Sequence, residues 1–89
     1  MKVEYQDGGK IAYYDGCRFV RDDKTGYYLS STKIGTRRKR LHIYVYERER
    51  GRTVPAGYQI HHVDGNKSNN DINNLACIPL HNHLSYHSR

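Results

Sequence analysis

The chain has no tryptophan, one phenylalanine, one methionine and two prolines in 89 residues. It also has no apolar run near the roughly 18 residues that a membrane span needs, so membrane insertion is excluded as a reading of this sequence. Its start, Met1-Lys-Val-Glu-Tyr5, lacks the apolar stretch of a secretory leader, and the expected compartment is the cytoplasm. Cysteine is scarce too. Cys17 and Cys77 are 60 positions apart with no C-x-x-C pair, which excludes a thiolate zinc knuckle and a disulfide framework, and both read as free thiols. With hydrophobic residues at 36%, a chain this short buries only roughly 60% of its unfolded surface. One thin core is all it can build, so the expectation is a single domain over residues 1–89.

Acidic residues are also in short supply: nine Asp and Glu face fifteen Lys and Arg, a net charge of +6. Such an excess concentrates a protein near polyanions before any specific contact forms. It is carried by residues 1–40, with ten cations against five acids, whereas all six His and all six Asn lie beyond residue 40. Grip is expected in front and chemistry behind.

Residues 10–31 read as short strands separated by turns: Lys10–Tyr14, the hairpin signal Asp15-Gly16, Cys17–Asp22, a turn at Asp23–Gly26 and Tyr27–Ser31. Nine tyrosines supply most of the apolar surface of this region and its neighbours, with hydroxyls able to reach water or phosphate. Thr36-Arg-Arg-Lys-Arg40 places four cations in a row, and mutual repulsion keeps such a run solvated and mobile unless phosphates meet it. Over 41–50 two patterns compete. Leu41, Ile43 and Val45 alternate as in a strand, while the charged run Glu47–Arg50 followed by Gly51 looks like the end of a helix. Next come a turn at Thr53–Tyr58, a strand at Gln59–Val63, a polar loop from Asp64 to Asn74 with five Asn in positions 66–74, a strand at Leu75–Pro79 and a helix at Leu80–Ser88.

Alternation along a strand puts His61 and His62 on opposite faces, and the i, i+4 spacing of His83 and His87 puts both rings on one face of a helix, within reach of one cation. At these residues the sequence resembles the HNH endonucleases of the ββα-metal group, and in particular the small phage-encoded homing-type proteins. The stretches that carry the resemblance are Leu41-His-Ile-Tyr-Val-Tyr-Glu47, Pro55-Ala-Gly-Tyr-Gln-Ile-His-His-Val-Asp-Gly-Asn-Lys-Ser-Asn-Asn-Asp-Ile-Asn-Asn-Leu75, and His83.

The resemblance implies an α+β fold: a small N-terminal β-hairpin sheet over the basic, Tyr-rich residues 1–40, then a helix at 41–50 and a ββα-metal unit within 41–89. It implies metal ligation by His61, His83 and His87, a general base at His62, and Asn74 as the residue that ties the loop together and holds the base. His42 is implied to pack near the site as a structural residue. The cofactor implied is a divalent ion, whether Mg, Mn, Ni or Zn, and the partner is double-stranded DNA, its phosphates held by Lys33, Arg37, Arg38, Lys39 and Arg40. The reaction implied is hydrolysis of a phosphodiester, a nick by one site per chain, by a monomeric phage protein acting in a bacterial host. A neutral imidazole suits the base role, since an unperturbed His titrates near pH 6.5. Two rival readings are a non-cutting HNH module that binds DNA or blocks a protein, such as a phage counter-defence factor, and a small domain held by a structural zinc.

Overall fold

The computed structural model describes residues 1–80. Four short strands, β1 (Glu4–Gln6), β2 (Ile11–Tyr14), β3 (Cys17–Arg21) and β4 (Tyr28–Ser30), form an antiparallel sheet in sequential order. One helix, α1 (Leu41–Arg50), follows, and a two-stranded antiparallel ladder, β5 (Tyr58–His62) with β6 (Leu75–Pro79), closes the described chain. This is the α+β arrangement expected; β1 is an addition that its exposed, polar sequence does not signal. The helix expected from Leu80 onward lies outside the described residues.

The first hairpin forms where Asp15-Gly16 predicts it. Both residues have positive φ, 54° and 74°, the backbone twist that lets a two-residue turn join right-twisted strands, and Tyr14 pairs with Cys17 across it. The next turn is held by Asp22, whose carboxylate accepts from the Lys24 N–H and the Thr25 hydroxyl at 3.0 and 3.3 Å. Alternation sends Ala12 and Tyr14 of β2, Phe19 of β3 and Tyr28 and Ser30 of β4 to the buried face.

Residues 41–50 are helical. The strand-like alternation of Leu41, Ile43 and Val45 yields to a buried stripe of Leu41, His42, Val45 and Tyr46, which a helix presents to the sheet as one face. Gly51 ends the helix in the left-handed conformation (φ 69°), its N–H donating to the Glu47 carbonyl at 2.9 Å. Tyrosine hydroxyls fasten the helix to the sheet. Tyr14 donates to Glu49 and Tyr44 to Asp15, both at 2.6 Å, with Arg48 on the same Asp15 carboxylate at 3.2 Å. Burial, reinforced by the hydrogen bond to Asp15, pushes the Tyr44 hydroxyl up to about 12, so it remains a donor. These hydroxyls are therefore spent inside the protein. Both cysteines are free thiols, as expected. No helix among the described residues is long and apolar enough to cross a membrane.

The basic run is fastened to the end of β4, while Arg37, Arg38 and Arg40 stay exposed. Ser30 binds it from two sides: its N–H donates to the Lys39 carbonyl and its hydroxyl accepts from the Lys39 N–H, each at 2.9 Å, while Arg38 Nε donates to the Ser30 carbonyl at 2.7 Å. Hydrogen bonds formed at the end of β4 outweigh repulsion that water and ions screen at the surface.

Replacing Gly51 by Ala should lower unfolding stability by about 1 kcal/mol, the penalty for a Cβ in the left-handed region. Urea unfolding measures this, and an unchanged midpoint would show that the helix end does not depend on that conformation.

Candidate functional site

β5 delivers the two adjacent histidines to different environments. Ile60 and His62 point inward and His61 outward, so His61 is exposed while His62 is buried at 5% exposure. The ladder partners are Ala76 for His61 and Leu75 for His62. His61, His62, Tyr27, Gln59, Gly65 and Lys67 line an open cleft of about 230 Å³.

His62 Nε2 lies 2.9 Å from Asn70 Oδ1, and Asn70 is itself buried at 2% exposure. The amide's orientation follows from its other contacts. Asn70 Nδ2 donates to the Lys67 carbonyl and to the Tyr5 hydroxyl, both at 3.2 Å, and a carbonyl can only accept. The oxygen of Asn70 is therefore the atom that meets His62, which requires the proton of a neutral imidazole on Nε2 and the lone pair on Nδ1. Tyr5, on β1, completes the lock by donating to the Ser68 carbonyl at 2.6 Å.

Asn74 performs a different task. Its Oδ1 accepts from the Asp64 N–H at 3.1 Å, and its Nδ2 donates to Asp64 Oδ1 and the Asn69 carbonyl, both at 2.9 Å. It ties the loop into a ring; the direct contact with His62 comes from Asn70. Hydrogen bonds from the Asn69 amide, the Asn66 N–H and the Asn74 amide hold the Asp64 carboxyl below its usual range. Sequence reasoning recognised the Asn-rich loop as a brace without singling out Asn70. Five asparagines share the loop, and the sequence holds no signal that sets Asn70 apart; its burial against His62 appears only in the folded loop.

Behind His62 lies a row of rings. His42 packs 5.0 Å from His62, centroid to centroid, and stacks on Tyr27 at 4.9 Å and 23°. Burial, with His62 and Arg40 adding to it, lowers the His42 pKa to about 3, so this ring is a neutral packing element.

Of the expected DNA-binding residues, Arg38 is committed to Ser30, and Lys39 lies 3.8 Å from Glu47. Arg40 lies over the Tyr27 ring at 5.2 Å, next to the histidine row. Lys33 and Arg37 are exposed. His83 and His87 lie outside the described residues, so His61 is the one described member of the expected ligand set. Among the described residues no three His, Cys, Asp or Glu side chains converge as a metal site.

A β-strand with paired histidines, a loop ringed by asparagines and a return strand are joined to a helix that packs behind His62. Residues 39–84, more than half of the chain, match the family model described as HNH endonuclease. The chain belongs to the HNH endonuclease family. A further similarity is to the intron-associated endonuclease 3 of Enterobacteria phage RB3, 48% identical over 29 residues. That stretch spans 33% of this chain and 11% of the phage protein. No solved structure matches. Tyr5 and Tyr27, which reach the HNH site from the front sheet, lie outside the matched segment.

The low pKa of His42 makes a pH prediction. Folded His42 takes up its proton only near pH 3, whereas an unfolded His does so near 6.5. Above that window both states are neutral and His42 contributes no pH dependence. As pH falls from 6.5 toward 3 the unfolded chain binds an extra proton and the fold loses stability. In His42→Gln this acid slope should be shallower by up to about 1.4 kcal/mol per pH unit, one proton's worth. Urea titrations between pH 4 and 8 measure it, and parallel slopes for the two proteins would refute the assignment.

Proposed function

We propose that this chain is a metal-dependent DNA endonuclease that nicks duplex DNA, with His62 as general base. The observation that carries the reading is the lock on His62: an amide oxygen on Nε2 leaves Nδ1 as the basic atom in a ring that lines the cleft. A neutral amide fixes that tautomer without adding a charge that would repel phosphate. Nδ1 would take the proton of a water attacking phosphorus in line with the leaving 3′ oxygen, producing 5′-phosphate and 3′-hydroxyl ends. His42, buried behind the ring and stacked on Tyr27, excludes water from that side and keeps the ring's plane fixed, which orientation of a base requires.

His61 suits a metal-ligand role because its exposed ring lines the same cleft and makes no hydrogen bond among the described residues. His83 and His87 would complete the set. An all-imidazole set suits Zn or Ni better than Mn or Mg, which prefer oxygen donors. When bound, such an ion would offset charge on the pentavalent phosphorus and the leaving oxygen. Lys33, Arg37 and Arg40 would hold flanking phosphates, consistent with the +5 surplus of residues 1–40.

The test is supercoiled-plasmid nicking with and without a chelator, alongside calorimetric metal titration. His62→Ala should bind metal and DNA as the parent does while cutting about a hundredfold more slowly or worse, the usual scale for losing a positioned base. His61→Ala should lose metal binding as well. If His62→Ala lost the metal while His61→Ala kept it, the two roles would be exchanged. A parent that binds duplex DNA yet never cuts with any of the four metals would instead be a binding module.

A further inference from the structure

Lys67 is an exposed lysine with an unusual degree of restraint. Its Nζ donates to the Thr25 carbonyl at 2.8 Å and stands 4.5 Å above the centre of the Tyr27 ring. Its aliphatic stem lies over Gly26, where an added Cβ would come within 3.3 Å of Lys67 Cδ. All three holding residues belong to the turn before β4, outside the family-matched segment, whereas Lys67 sits in the Asn-rich loop within it. The ammonium is thus fixed by groups that carry no net charge, and no carboxylate pairs with it among the described residues. One of its three N–H bonds is used on Thr25, and two remain to give.

Its location explains what they are for. Lys67 lines the same cleft as His61 and His62, and its own carbonyl accepts from Asn70 Nδ2, the contact that orients the amide against His62. The residue that helps orient the amide against His62 thus also carries a cation at the wall of the histidine cleft, over the Tyr27 ring. The other cations differ: Arg38 and Lys39 contact Ser30 and Glu47, Arg40 lies over the Tyr27 ring at 5.2 Å without lining the cleft, and Lys33 and Arg37 do not line it either.

We propose that Lys67 is the phosphate-contacting cation of this site, its ammonium donating to a non-bridging oxygen of the phosphodiester that His62 addresses. The proposal rests on the nuclease reading above and deepens it. The ammonium offsets the charge that grows on the phosphoryl oxygens, and preorganisation by Thr25 and Tyr27 avoids the cost of ordering a free lysine at that moment. A brace whose only purpose was to fasten the loop would gain little from an exposed lysine-to-carbonyl bond.

The experiment compares the full chain with Lys67→Met, Lys67→Arg and the charge-matched control Lys24→Met. Nicking of supercoiled plasmid at saturating protein gives the rate, and fluorescence anisotropy of a short duplex across a salt series gives the number of phosphate contacts. Lys67→Met should cut about tenfold to a hundredfold more slowly than the parent, while Lys67→Arg recovers much of the rate and Lys24→Met retains it. The salt slope of binding should fall by about one unit in Lys67→Met alone. A Lys67→Met protein with the parent's rate and slope overturns the proposal, and so does a loss of rate that tracks a lowered melting temperature with the slope unchanged. If the parent itself does not cut, the nuclease reading fails, and the salt slope alone then decides whether Lys67 meets a phosphate.

Discussion

The buried hydrogen bond between His62 and Asn70 is the contact on which the rest of the site depends. Two polar side chains, at 5% and 2% exposure, are taken out of water together, and each would cost on the order of 1–3 kcal/mol if left without a partner. Every further contact of Asn70 serves to make that arrangement single-valued. The Lys67 carbonyl settles which end of the amide is oxygen, the Tyr5 hydroxyl takes the second amide proton, and the imidazole is left with one tautomer. A loop with five asparagines in nine positions can do this because each amide offers both donors and acceptors at no net charge.

The thin core explains why the site and the fold share parts. Among the described residues nine apolar side chains are buried, which gives limited stability, and three of them, Tyr14, Tyr28 and Tyr46, are tyrosines. Hydroxyls from Tyr14 and Tyr44 reach carboxylates across the sheet and helix, and the Tyr28 hydroxyl reaches the Gly9 carbonyl. The row Tyr27, His42 and His62 belongs to both ledgers: it packs α1 against β5 and also sets the plane of one catalytic candidate. Neutrality of His42 is a condition of that packing, since a charged ring could not be accommodated beside Arg40 in a buried position.

The front sheet has a role that its basic composition alone does not suggest. Its cations were the obvious feature, yet Arg38 and Lys39 are partly absorbed into the closure onto Ser30 and Glu47. What the sheet and its β3–β4 turn send to the site is aromatic and main-chain: Tyr5 of β1 to Asn70, and from the turn Tyr27 to His42 and the Thr25 carbonyl to Lys67. A segment outside the family-matched residues thereby supplies the outer half of the scaffold around His62.

By itself the sequence determined whatever depends on neighbours along the chain. Asp15-Gly16 specifies its hairpin because two successive positive φ angles suit those residues, and Gly51 stops α1 for the same reason. Alternation on β5 separates His61 from His62, since a strand has only two faces. The family resemblance made α1 legible where periodicity favoured a strand, and it assembled the histidines into a motif. Tertiary structure decided everything that depends on partners distant in sequence. Which of the two histidines is buried, which asparagine of several meets it, and which lysine stands in the cleft all follow from contacts reaching 65 positions from Tyr5 to Asn70 and 42 from Thr25 to Lys67. Asn70 and Asn74 are chemically identical in the sequence. They become a tautomer lock and a loop tie only when the folded loop buries one amide against His62 and turns the other toward Asp64.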